Sequence, residues 1–121
     1  MTVLITVFFI YKYNMYYTYI LLTENDTLYC GYTDNVEKRF QKHLSGKGAK
    51  YTRANKPVKI VYQHSYRTKS EALREEARIK KLTKKEKLKL IARYSRFRLL
   101  LFVFPAILIL FHLAFQIIAV F

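Results

Sequence analysis

One cysteine, no tryptophan, three glycines and two prolines are all that this chain of 121 residues contains of those four types. A single thiol, Cys30, excludes an internal disulfide framework and suits a reducing compartment. So little glycine and proline excludes a low-complexity or disordered chain. No stretch repeats at a fixed period, which excludes a solenoid. Acidic residues are scarce too, eight against 22 lysines and arginines, giving a net charge of +14. That is the sign expected of a protein that meets a polyanion. Every charged side chain lies between Lys12 and Arg98, and residues 99–121 carry none. The charged part is long enough for one modest core, although marginal in buried area.

The chain divides into three pieces. Residues 1–14 form a hydrophobic extension whose run from Val3 to Ile10 is too short to span a bilayer. It lacks a basic leader and a small-residue cleavage site, so a signal peptide is a poor reading. It reads as an added edge strand or as a dispensable extension, with Met15 as an alternative start. Residues 15–95 form the domain. Residues 96–121 form a hydrophobic tail. The 23 residues from Leu99 to Phe121 would make a helix of about 35 Å, enough for a hydrocarbon core of about 30 Å. Arg93, Arg96 and Arg98 precede it, as expected of a cytoplasmic flank. A core helix and a functionless tail are the alternatives to a membrane anchor.

Within the domain, residues 17–22 and 28–32 are rich in aromatic and β-branched side chains. They flank Glu24-Asn25-Asp26-Thr27, a turn composition, and read as a hairpin. Asp34 and Glu37 form a capping pattern for a helix that runs to about Leu44. A basic loop follows, then a strand over 58–66, then a helix over 71–82 opened by Thr68 or Ser70. Thr83 and Glu86 cap a further helix through Leu88 and Ile91. The order β-β-α-β-α-α predicts an α+β fold. It has a small, mostly antiparallel three-stranded sheet with flanking helices, and the C-terminal hydrophobic helix in addition.

Hairpin register decides which tyrosines can cooperate. With the turn at Asn25-Asp26 and residues whose numbers sum to 50 paired, Tyr19 lies opposite Gly31 and Leu21 opposite Tyr29. Tyr19 and Tyr29 then share one face as diagonal neighbours. A slip of one residue would separate them. On the first helix Val36, Phe40 and Leu44 face the sheet, with Arg39 and His43 flanking that stripe. On the second, Glu76 sits in an apolar stripe with Ala72, Leu73 and Ile79. A carboxylate there is costly unless it is paired or metal-bound. The plain alternatives are ordinary strand aromatics, a solvated basic helix face, and a salt bridge from Glu76 to a lysine or arginine.

These residues carry a family resemblance. Tyr17-Thr18-Tyr19 stands ten residues before Tyr29-Cys30-Gly31, and 35–40 (Asn-Val-Glu-Lys-Arg-Phe) with His43 follow. The pattern resembles the GIY-YIG nuclease domain. The stretch from Ser45 to Arg53, with Pro57-Val58, resembles the small stand-alone subgroup related to the N-terminal nuclease domain of UvrC. Residues 70–76 and 79–82 complete it. Tyr17, Thr18 and Cys30 replace the motif's glycine and isoleucines, which the small subgroup resembles, and the side chains for chemistry are all present.

The resemblance implies a metal-dependent endonuclease that hydrolyses DNA phosphodiester bonds, in repair or recombination. It implies Glu76 as the ligand of Mg²⁺ or Mn²⁺ and Tyr19 as general base. A phenol has a pKa of about 10, so Tyr19 needs help, from His43 or a nearby cation. Tyr29 would orient water or phosphate, and Arg39 would neutralise the scissile phosphate. Lys47, Lys50, Tyr51 and Arg53 would lie on the DNA, which is branched or damaged DNA in this reading. The rival readings are a non-catalytic nucleic-acid-binding module, a basic membrane-anchored protein on anionic lipid, and a part of a larger nuclease complex. The location expected is cytoplasmic, with the tail as an anchor.

Overall fold

The computed structural model describes residues 2–3 and 14–120. The expected N-terminal edge strand falls almost wholly outside the described residues. Two compact units are distinguished, Met1–Lys87 and Leu88–Phe121.

The first unit holds the sheet. Strands β1 (Tyr16–Thr23), β2 (Leu28–Thr33) and β3 (Pro57–Tyr66) pair in the order β2-β1-β3, and both pairings are antiparallel. The hairpin turn places Asp26 at φ 56°, a left-handed value that a short polar side chain tolerates. Its register is the expected one, with Tyr19 opposite Gly31 and Leu21 opposite Tyr29. β1 is the central strand, which is why Thr18, Tyr19, Ile20 and Leu21 are all buried.

Helix α1 (Val36–Leu44) and the short α2 (Lys50–Ala54) follow β2. The N-cap of α1 is Asn35, not Asp34, since the Asn35 side chain accepts the backbone N–H of Lys38. The basic loop therefore contains a helix that sequence reading missed. Its five residues are too few for a periodic pattern. Helix α1 is also turned from its expected setting. Val36 and His43 are buried and Phe40 half-buried, whereas Leu44 is exposed. His43 takes the inward place because two buried hydroxyls, described below, satisfy its ring nitrogens.

Helix α3 (Lys69–Lys81) opens with a full capping box between Thr68 and Glu71. It covers the opposite face of the sheet. Thr18 donates to the Ala72 carbonyl at 2.8 Å, and Ala72 and Ile79 are fully buried. Leu73, expected in that stripe, is exposed. The sheet thus separates two layers. Tyr19, Leu21 and Val36 form the core on one side, with Tyr17, Tyr29, Phe40 and Ile60 against it.

Helix α4 (Lys84–Val120) is one continuous helix and not two, with Pro105 inside it. The Thr83–Glu86 box opens it, and Lys84 holds Asp26 of the hairpin turn at 3.0 Å. Beyond Lys87 the second unit is this helix alone. No residue of its most apolar stretch is buried, and it is long and apolar enough to cross a membrane.

Candidate active site

The site is built around one buried hydroxyl. Tyr19 is 1% exposed. Its oxygen is 2.8 Å from Nε2 of His43 and accepts Nε–H of Arg39 at 3.3 Å. The other ring nitrogen of His43, Nδ1, is 2.7 Å from the Thr52 hydroxyl. That hydroxyl in turn donates to the Ala49 carbonyl at 3.0 Å.

These contacts decide the tautomer. A threonine hydroxyl has one proton, and Ala49 takes it. Toward His43 the hydroxyl can then only accept, so Nδ1 carries the ring proton. Nε2 is left as a lone pair, and the Tyr19 hydroxyl donates to it. The chain runs Arg39 → Tyr19 → His43 → Thr52 → Ala49, every donor meeting an acceptor. No buried side-chain nitrogen or oxygen among the described residues lacks a partner.

Two glycines make room for it. A Cβ on Gly31 would stand 2.6 Å from the Tyr19 hydroxyl oxygen. One on Gly48 would run into Nδ1 of His43. The ring of Tyr19 lies across the strand pair where only glycine leaves space, and the backbone at Gly48 closes on the imidazole.

Burial sets the protonation states. Desolvation pushes the Tyr19 phenol up to about 12, against the opposing pull of the Arg39 hydrogen bond. Desolvation and then the Arg39 charge bring His43 down to about 4. Arg39 is held above its usual range, chiefly by its bond to Tyr19. At neutral pH the site is a phenol, a neutral imidazole and a guanidinium cation.

Tyr29 completes the pocket. Its ring is 6.3 Å from Tyr19, 5.1 Å from His43 and stacked 6.1 Å from Tyr51. Tyr19, Tyr29, Arg39 and His43 are therefore together. Lys47, Lys50 and Arg53 are exposed on and before α2.

Glu76 stands apart from this chain. It is on α3, against the other face of the sheet, where its carbonyl is 4.0 Å from the Cys30 thiol. Its carboxylate is held by Lys80 at 2.7 Å and is 14% exposed. Lys80 is raised above its usual range by Glu76 first, with smaller contributions from Cys30 and Tyr29. As a hard oxygen donor, partly open to solvent, Glu76 suits a one-carboxylate site for Mg²⁺ or Mn²⁺. Waters and phosphate oxygens would supply the other ligands. Among the described residues no group of three His, Cys, Asp or Glu side chains forms a ready-made cage.

Sequence reading missed Thr52, Gly48 and Lys80. Thr52 lay within the quoted stretch from Ser45 to Arg53, but nothing in its spacing distinguishes a residue that orients a histidine from a loop hydroxyl.

Comparison with known proteins bears on the same residues. A family model described as the GIY-YIG catalytic domain matches residues 15–89. A UPF0213 protein of Oceanobacillus iheyensis is 53% identical over 76 residues, covering 63% of this chain and 88% of the relative. A UPF0213 protein of Staphylococcus haemolyticus is 49% identical over 76 residues, 63% of this chain and 93% of its own. The solution NMR structure of a UPF0213 protein from Bacillus halodurans is 41% identical. It covers 64% of this chain and 83% of that one, at a TM-score of 0.43.

The buried chain predicts a pH dependence of stability. Unfolded His43 takes a proton near 6.5, whereas the folded one does so near 4. Between those values the unfolded state binds the proton. The contribution is full above pH 6.5 and is lost as pH falls toward 4, on the order of 3 kcal/mol in all. Thr52→Val keeps the shape but strands the Nδ1 proton, at a cost of about 1–3 kcal/mol, and Thr52→Ser restores it. Urea unfolding of the full chain in detergent micelles between pH 4 and 8 measures both. A flat pH profile, or Thr52→Val as stable as the parent, contradicts the chain.

Proposed function

This chain belongs to the GIY-YIG family of catalytic domains, a nuclease family, and on that premise we propose that it is a metal-dependent endonuclease hydrolysing phosphodiester bonds in DNA, in repair or recombination. The observation that carries this reading is the Tyr19 hydroxyl, buried between a proton acceptor, His43, and a phosphate-seeking cation, Arg39.

The geometry suggests how the residues act. With Arg39 in place the Tyr19 hydroxyl is closed to water. A DNA phosphate draws the guanidinium away, since a charge-assisted pair outweighs a bond to a neutral phenol. The freed oxygen of Tyr19 then faces the phosphate. As water attacks phosphorus, its proton moves to Tyr19, and the Tyr19 proton moves to Nε2 of His43. The bond from phosphorus to the leaving sugar oxygen breaks, and that oxygen is protonated from solvent. Tyrosinate is avoided, which matters for a phenol pushed up to about 12. Neutralising Arg39 with phosphate also removes one of the two causes that lower His43. Tyr29 borders the same space and orients the water. Glu76 would hold the metal ion in place of its bond to Lys80, and a bound Mg²⁺ or Mn²⁺ would supply charge neutralisation at the phosphate.

A nicking assay on plasmid and branched DNA with Mg²⁺ or Mn²⁺ tests this. Tyr19→Phe should lower cleavage by about 10²–10⁴-fold while DNA affinity persists. Glu76→Ala should fold normally and lose the metal-dependent activity. Full cleavage by either variant sinks its assigned role. DNA binding without cleavage by the parent leaves the non-catalytic module.

We further propose that the apolar part of α4 inserts in a membrane, leaving the domain on the cytoplasmic side. Its support is an exposed apolar helix preceded by Arg93, Arg96 and Arg98, with the uncharged run long enough to span. The full chain should stay with the membrane fraction after alkaline extraction, and a chain ending at residue 95 should not. Release of the full chain overturns the anchor.

A further inference from the structure

Beside the Tyr19 pocket lies an open cleft of about 530 Å³ between α1, the end of β2 and the start of α3. Lys38, Arg39 and Lys42 line it from α1, at spacings that put them along one side of the helix. Lys69 closes it from the first turn of α3, its ammonium 5.7 Å from the centre of the Tyr32 ring. One carboxylate, Asp34, is also in the wall. Four cations therefore face one anion.

Arg78, Lys80 and Lys84 are each in an ion pair with a carboxylate. Among the described residues Lys38, Lys42 and Lys69 are not. Unneutralised cations from two helices in one concavity focus a positive field. Arg39 belongs to both places, with Nε on the Tyr19 hydroxyl and its side chain in the cleft wall. A phosphate that draws Arg39 off Tyr19 would thus lie at the mouth of the cleft.

We propose that this cleft is a nucleic-acid subsite that binds the phosphates of the strand flanking the scissile bond. Lys38, Lys42 and Lys69 contact the backbone, and Tyr32 offers a ring face to a base in exchange for the Lys69 ammonium. This rests on the nuclease reading and extends it. The substrate path leads over α1 to α3, and α2 with Lys47, Lys50 and Arg53 serves the other flank.

The test is fluorescence anisotropy of a labelled DNA oligonucleotide with the full chain in neutral detergent micelles. EDTA keeps binding separate from cleavage, and salt is varied. The triple variant Lys38→Gln, Lys42→Gln, Lys69→Gln should lose roughly tenfold or more in affinity. Its log–log salt slope should fall by about 2–3, near 0.9 for each phosphate contact. The matching Lys→Arg triple variant should keep both. An unchanged affinity and slope in the glutamine variant overturns the subsite. So does a variant that keeps its DNA binding and loses instead its preference for phosphatidylserine vesicles over neutral ones, since the cleft would then serve a membrane. A parent chain that binds no DNA overturns both this proposal and the nuclease reading. Binding with the predicted losses, but without cleavage when metal is restored, leaves the subsite standing and removes only the chemistry.

Discussion

A phenol, an imidazole and a hydroxyl buried together must hand their protons along in one direction, and the site depends on that constraint. Tyr19, His43 and Thr52 are each no more than 2% exposed. A buried polar group without a partner costs about 1–3 kcal/mol. Each of the three therefore limits where the next can lie. The hydrogen bonds tie the central strand to α1 and α1 to α2, and they end on the Ala49 carbonyl. Structure and reactivity have the same origin here. The bonds that satisfy the interior also aim the Tyr19 proton at His43.

Charge is organised around that interior. Arg39 caps it through its bond to the phenol, and in the proposed enzyme a phosphate would draw it from there. Around it the basic side chains fall into two kinds. Some are neutralised by neighbouring carboxylates and fasten helices, as Lys84 does at the hairpin turn and Lys80 at Glu76. Others face open space, in the cleft and around α2. Only the second kind is free to meet a polyanion without first breaking a bond within the protein. Glu76 is the exception on the acidic side, because any metal it binds competes with Lys80.

Much of this was legible in the residues. Aromatic and β-branched composition marks the two strands, the short polar turn between them sets the register, and that register puts Tyr19 opposite Gly31 with Tyr29 on the same face. The order of the main elements and the cap at Thr83 were equally plain, whereas Thr68 and Ser70 were both candidates for the cap of α3, and the structure has Thr68. What failed to show has a physical reason. Helical periodicity locates an apolar stripe to within one residue, and it could not tell Leu44 from His43 as the inward side chain. The imidazole won because partners distant in sequence, Tyr19 and Thr52, satisfy both of its nitrogens. The short α2 has no period to detect. Glu76 was correctly singled out as an unusual carboxylate, but pattern alone leaves metal and salt bridge equal, and the structure adds the Lys80 contact.

The proton path from Tyr19 to His43 stands or falls on where the His43 ring proton sits. A long-range ¹H–¹⁵N NMR spectrum of the full chain in micelles at pH 7 reads both ring nitrogens. The hydrogen-bonded chain from Arg39 to Ala49 requires a neutral ring, protonated on Nδ1 and bare on Nε2. A ring protonated on Nε2, or an imidazolium at pH 7, would make Tyr19 the acceptor and contradict the proton path on which the proposed hydrolysis rests.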